Sequence, residues 1–183
     1  MPKLCLGVFF LFISILSTAQ TGTLKPLTMV DVSLISAGIT HQAVIGDKFL
    51  IDFSGGIGPG YDIAEGSHSV VFLPALYGSV TPKFYYNLSK RVGNGKSADR
   101  NCGNFIGTRV KYSLPLFVDS DKIRNSLLIN GFWGLQRPLG AKWIFSGQAG
   151  AGYSLDIENN FGTIYPAIDF KCSYLIGFGK NKK

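Results

Sequence analysis

The feature that most constrains this chain is a hydrophobic alternation of period two that returns in segment after segment. Successive side chains of a strand point to opposite faces, so such alternation marks strands with one apolar face and one polar or small face. The last segment reads most plainly. Ile164, Pro166, Ile168, Phe170, Cys172, Tyr174, Ile176 and Phe178 fall on one face, while Tyr165, Ala167, Asp169, Lys171, Ser173 and Gly177 oppose them; only Leu175 breaks the pattern. Between 104 and 114, Ile106, Thr108, Val110, Tyr112 and Leu114 oppose Gly107, Arg109, Lys111 and Ser113. Between 76 and 88, Leu76, Val80, Phe84, Tyr86 and Leu88 oppose Ser79, Thr81, Lys83, Tyr85 and Asn87. Three more segments follow the same rule: Phe49, Ile51, Phe53 and Ile57 against Asp52 and Ser54, Leu127, Ile129, Trp133 and Leu135 against Asn130 and Gln136, and Trp143, Phe145, Tyr153 and Leu155 against Ser146, Gln148 and Ser154.

Composition excludes the competing classes. Charged residues make up only 16% of the chain and hydrophobic ones 46%, the reverse of a disordered polymer. Twenty-three glycines and 13% aromatic residues do not suit a helical bundle, whereas strands favour aromatic and β-branched side chains. A length of 183 residues allows one domain after a short N-terminal segment.

That N-terminal segment has the layout of a secretory signal peptide. Lys3 supplies positive charge, residues 4–16 form an uncharged apolar run, and Ser17-Thr18-Ala19 offers a small-residue cleavage site before Gln20. The run is short for a membrane span. The expectation is a signal peptide over 1–19 and an exported mature domain over 20–183. Cys5 lies inside the run, which argues against a lipoprotein attachment site. No later stretch approaches 18 consecutive apolar residues, so no transmembrane helix is expected. Cys102 and Cys172 lack metal-site spacing and are too few for a disulfide framework, so they read as unpaired packing residues.

The connections alternate in character. Residues 46–48 and 138–140 read as tight turns, whereas 61–69, 118–124 and 159–162 are more polar. The long basic link 92–103 belongs on the side of the tight turns, as an enlarged turn. Seven segments are plain, but single-chain bacterial outer-membrane barrels have an even strand number. The phase of alternation also changes between Leu34 and Ala37. A hairpin turning around Ser36-Ala37-Gly38 accounts for both facts and gives eight strands; a β-bulge accounts for the phase change alone. Eight is the expectation. Pro82 removes a ladder donor inside a strand, which predicts a bulge or local break there.

Alternation leaves open whether the apolar face points inward, as in a soluble lipocalin-like barrel, or outward, as in a membrane barrel. Trp143 and Tyr153 bracket a run of small and apolar residues. Ten residues at roughly 3.3 Å each, tilted by about 40°, rise about 25 Å, the height of a lipid-facing band with an aromatic at each boundary. The chain then ends on an amphipathic strand whose last aromatic is Phe178. Trp143, Tyr153 and Phe178 are therefore the expected membrane-interface aromatics.

The pair Ala19-Gln20 at the end of the signal peptide, the stretch Pro82-Lys83-Phe84-Tyr85-Tyr86-Asn87-Leu88-Ser89-Lys90-Arg91 and the glycine-rich amphipathic strands resemble the small outer-membrane β-barrel proteins common in Bacteroidota. The likeness covers most of the mature chain. It implies an all-β, antiparallel, up-and-down transmembrane β-barrel in the outer membrane of a Gram-negative cell, and it carries no catalytic motif.

With the apolar face outward, Asp52, Lys83, Arg109, Lys111, Asp169 and Lys171 point into the lumen. An eight-stranded barrel is just wide enough to be filled by side chains, and buried charges must pair. A charge network closing the lumen is the expectation. His41 and His68 are the only histidines. His41 falls on the apolar face, where a lipid-A-modifying barrel enzyme would need a serine and a carboxylate beside it, and no motif marks them. Gly55-Gly56-Ile57-Gly58-Pro59-Gly60 lacks the Lys-Ser/Thr pair and following helix of a phosphate loop. No catalytic, cofactor-binding or metal site is expected. The net charge of +7 includes Lys3 and gathers in 90–100 and 180–183 without a nucleic-acid-binding motif. The expected partners are outer-membrane lipid, lipopolysaccharide and, during biogenesis, the barrel assembly machinery. The expected role is that of a monomeric, non-enzymatic barrel, structural or interacting through its extracellular loops. The alternatives are a soluble periplasmic or secreted lipocalin-like barrel holding a small apolar ligand, and third the lipid-A-modifying enzyme.

Overall fold

The computed structural model describes residues 24–64, 67–116, 125–158 and 160–178, with the side chains of 62–72 and 178 outside that description. The signal-peptide expectation over 1–19, the tail beyond 178, the side chains of His68 and Phe178, and the loop 118–124 all lie outside the described residues.

Eight strands run in simple up-and-down order: β1 (Leu27–Ser33), β2 (Ala37–Val44), β3 (Phe49–Ala64), β4 (Ser67–Tyr85), β5 (Gly103–Pro115), β6 (Ser126–Leu139), β7 (Trp143–Asp156) and β8 (Phe161–Phe178). Each pairs antiparallel with the next, and β1 pairs with β8, from Leu27↔Phe178 to Ser33↔Lys171, to close the ring. The phase change near residue 36 is therefore a hairpin. Its turn is Leu34-Ile35, two residues earlier than the sequence suggested, held by the Ser33 amide on the Ser36 carbonyl at 2.8 Å.

Two other local expectations are corrected, and a third is met in one of its two forms. Residues 61–69 are mostly strand, because β3 and β4 continue to Ala64 and from Ser67. The strand expected to reach Leu88 stops at Tyr85, and Leu88 opens a short helix, α1 (Leu88–Gly93), where it turns inward instead of outward. At Pro82 the structure shows the expected local break and no bulge. The β4–β5 ladder is interrupted at Thr81 and Pro82 but resumes in the same register, while the β3–β4 bulge falls at Pro59/Gly60.

Alternation resolves with the apolar face outward. Ile39, Phe53, Ile57, Val80, Ile106, Val110, Ile129, Ile164 and Ile168 are exposed, whereas Thr40, Gln42, Asp52, Thr81, Lys83, Ser113, Gln136 and Ser173 are buried. The glycines serve this tight ring. At Gly150 a Cβ would stand 2.0 Å from the Gly131 carbonyl oxygen of β6, so no larger residue fits the close approach of the two strands.

The two apolar clusters of the interior lie toward one end. We call the end carrying 45–48, 86–102 and 140–142 the lower end. There Leu24, Leu50, Tyr85, Leu88, Ala98, Phe105 and Phe132 form one buried cluster, and Leu27, Met29, Ile144 and Leu175 another. Leu175, the exception to the polar face, belongs to that floor.

The wall is also uneven. β1 and β2 are the short strands, so residues 58–64 of β3 and 161–170 of β8 have no ladder partner on the side where β1 and β2 stop. A notch in the wall opens above the Leu34-Ile35 turn.

Candidate functional site: a charged lumen, floored below and notched above

The floor is made by the basic link between β4 and β5. α1 inserts Leu88, and a 3₁₀ turn over Asp99–Asn101 brings Asn101 under the ring, fully buried. The Asn101 amide nitrogen donates to the Lys25 carbonyl at 2.8 Å and to Gln42 Oε1 at 2.9 Å, while its Oδ1 accepts the Lys25 amide at 2.8 Å. Gln136 Nε2 donates to the Arg100 carbonyl at 2.9 Å, and the Arg100 guanidinium donates to the carbonyls of Gly140 and Ala141 at 2.7 and 2.9 Å. The lid is thus tied to the N-terminal segment, to two strands and to the β6–β7 turn. Cys102, a free thiol buried in this lid, has its pKa pushed up to about 11 by burial.

Above the floor lies the charge layer. Alternation on β3, β4, β5 and β8 delivers the six charged residues expected there to the inside, and the closure of the ring brings them together. Lys83 meets Asp52 at 2.6 Å with both side chains almost wholly buried, and Gln42 Nε2 donates to Asp52 Oδ1 at 2.9 Å. Lys83 also stands 4.5 Å from the centre of the Phe105 ring, so charge rests directly on the aromatic floor. Arg109 Nη1 donates to Asp169 Oδ2 at 3.0 Å, where Gln148 Nε2 also donates at 2.8 Å.

Lys171 does not pair within the expected set. Its partner is Asp31 of β1, at 2.7 Å, which also accepts from Ser173 Oγ at 2.6 Å and from the Thr40 hydroxyl. Asp31 opposes Val30 and Val32 in sequence, so the alternation carried this signal once β1 was recognised as a strand. Lys111 has no carboxylate partner among the described residues. It donates to the Tyr61 hydroxyl at 2.8 Å and lies 5.1 and 4.6 Å from the Tyr61 and Tyr77 ring centres. Tyr61 and Tyr77 join the lumen without a signal read from the sequence, whereas Asn130 and Tyr165 stand on the polar faces that the alternation defined. Tyr165 donates to Asn130 Oδ1 at 2.6 Å.

A cavity of about 350 Å³ opens at this level, lined by Arg109, Lys111, Asn130, Tyr165 and Asp169 within and by Ser33, Ser36 and Pro59 at the notch. A smaller one of about 50 Å³ lies deeper, beside Asp31, Tyr77 and Lys171.

On the outside, Trp143 and Tyr153 are both about half exposed. Trp143 packs edge-on against Tyr174 at 5.2 Å near the lower rim, and Trp133, further up β6, donates from Nε1 to the Tyr86 hydroxyl at 2.7 Å. His41 is exposed, and its Nδ1 lies 2.9 Å from the Thr28 hydroxyl. Among the described residues, no group of three or more His, Cys, Asp or Glu is placed to hold a metal, and no helix is long and apolar enough to cross a membrane. No family model, curated protein or solved structure matches the chain significantly.

Proposed function

We propose that this protein is an outer-membrane β-barrel, exported by the segment 1–19, with the domain 20–183 standing in the bilayer as a closed, non-conducting, monomeric element. The observation that carries this reading is the inverted burial: a continuous apolar outer surface around a polar, charged interior. Soluble monomers rarely expose apolar patches beyond a few hundred Å², whereas a closed strand ring is one of two ways for a backbone to satisfy its hydrogen bonds in lipid. The aromatics at the rims support the same reading. An apolar-ligand barrel would need the reverse arrangement, and the charge layer stands where its ligand would sit.

A through-channel conflicts with the lower floor, where the lid and two apolar clusters fill the cross-section. The role is therefore structural, or one of contact through the upper connections, with lipopolysaccharide and outer-membrane lipid as surroundings and the assembly machinery as the biogenesis partner. We assign no enzymatic activity and no nucleic-acid partner.

Fractionation tests the location. The protein is expected in the detergent-requiring outer-membrane fraction with heat-modifiable migration on a denaturing gel. Recovery in the soluble fraction without detergent would overturn the membrane reading. Planar-bilayer recordings are expected to show no stable conductance.

A further inference from the structure

The notch above the Leu34-Ile35 turn joins three features. Its two edges, residues 58–64 and 161–170, lack a strand between them. Across β7–β8, Trp143 pairs with Tyr174 and Tyr153 with Ile164, so residues 164–174 of β8 cross the aromatic-bounded band. Over most of the upper part of that band β8 has no ladder partner on its β1 side, and β3 faces it across the turn. Prolines stand on both edges, Pro59 and Pro166, where a missing N–H is tolerated because no ladder is there to use it.

Exposed apolar side chains stand around the mouth. Leu34, Ile164 and Ile168 are 92%, 77% and 64% exposed, above every other large hydrophobic residue described. A shallow apolar groove continues from it along Leu34, Ile35, Ile57, Leu73 and Pro74. Behind the mouth the cavity holds Lys111 and Arg109. Among the described residues of the charge layer four cations, Lys83, Arg109, Lys111 and Lys171, face three carboxylates, Asp31, Asp52 and Asp169, and Lys111 is the cation without a carboxylate partner. Asp156, also buried, lies at the upper end of β7 and accepts the Glu158 amide.

We propose that the notch is a lateral port for a single-chain anionic amphiphile, whose headgroup enters the lumen beside Lys111 while its acyl chain stays in the bilayer against Leu34, Ile35 and Ile168. A cavity of about 350 Å³ is at the small end of ligand pockets and holds a headgroup but not acyl chains as well. The cation selects the charge, and the gap in the wall lets the chain remain in lipid. Unpaired strand-edge N–H and C=O groups at membrane depth also call for a polar occupant or water from the lumen. This inference rests on the membrane location proposed above.

The test uses the full mature protein in lipid vesicles with a palmitate analogue carrying a mid-chain diazirine, and maps the photolabel by mass spectrometry. Label is expected to concentrate on residues 33–37 and 166–168. Palmitate or hexadecyl phosphate should compete, the stronger of the two naming the headgroup, and hexadecanol should not. Lys111→Gln is expected to lower the labelling about tenfold, as loss of a charge-assisted contact does. Ser36→Trp, which fills the mouth and keeps every charged residue, should abolish it with migration unchanged. Labelling spread evenly around the outer surface, indifferent to headgroup charge and to both variants, would overturn the port while leaving the barrel in the membrane. Failure of the protein to insert into the vesicles would instead overturn the membrane reading, and the port with it.

Discussion

The two ends of the interior are built on different principles. The lower end is a small globular core: leucines and aromatics, a short helix, and a buried asparagine with all its visible partners on other segments. The upper end keeps space, half-exposed charges and a break in the wall. One ring of strands thus carries a sealed floor and an open chamber. The difference teaches that closure of this barrel is shared between strand residues such as Phe105 and Ile144 and the connection that brings Leu88 and Asn101 beneath them.

The largest expected effect separates the two ion pairs. Lys83 and Asp52 are 2% and 3% exposed, while Arg109 and Asp169 are 17% and 35% exposed. Lys83→Met strands a buried carboxylate and is expected to destabilise the barrel by about 3–5 kcal/mol, with Asp52→Leu in the same chain restoring most of it. Arg109→Met is expected to cost about 1 kcal/mol, because solvent screens the pair it breaks. Urea unfolding in vesicles measures both, and equal losses at the two sites would break the comparison.

The lid gives the intermediate effect. Asn101→Ala removes the bonds to Lys25 and Gln42 and leaves buried groups unpartnered, for an expected loss of about 2–3 kcal/mol. Limited proteolysis is expected to cut within 90–100 of the variant and to spare the strands. Protection equal to wild type would mean that the floor does not depend on that anchor.

The smallest effect is chemical. Cys102 has a thiol pKa of about 11 against an ordinary 9.0, so its thiolate at pH 8 is about a hundredfold scarcer and alkylation correspondingly slow. The sign for stability follows from linkage. Between pH 9 and pH 11 the unfolded chain has lost the proton that the folded chain keeps, so stability falls as pH rises through that window. Alkylation kinetics followed against pH check the first claim, and an Asn101→Ala chain that reacts no faster would separate the thiol's burial from the lid.

Much of this was legible in the chain. Alternation on β3 to β8 located the strands and put Asp52, Lys83, Arg109, Lys111, Asp169 and Lys171 on the face opposite the apolar one, because a period of two is local and survives in any sheet. Phase counting also called for an extra hairpin near residue 36. Less legible were the ends of elements. Polar residues at 61–69 resemble a loop, yet two long antiparallel neighbours can extend a hairpin by pairing their own backbones. Leu88 continues the alternation of β4, yet it turns inward because the lid needs an apolar residue under Phe105.

The sequence by itself determined the strand periodicity, the apolar and polar faces, and the residue types of the charge layer. Only the tertiary structure decided which face is inside, which charges meet, which end is sealed and where the wall is open. The physical reason is that alternation records the two sides of each strand separately. Register and closure, which bring Lys171 to Asp31 and leave β8 bare above Lys171, are properties of strands far apart in sequence.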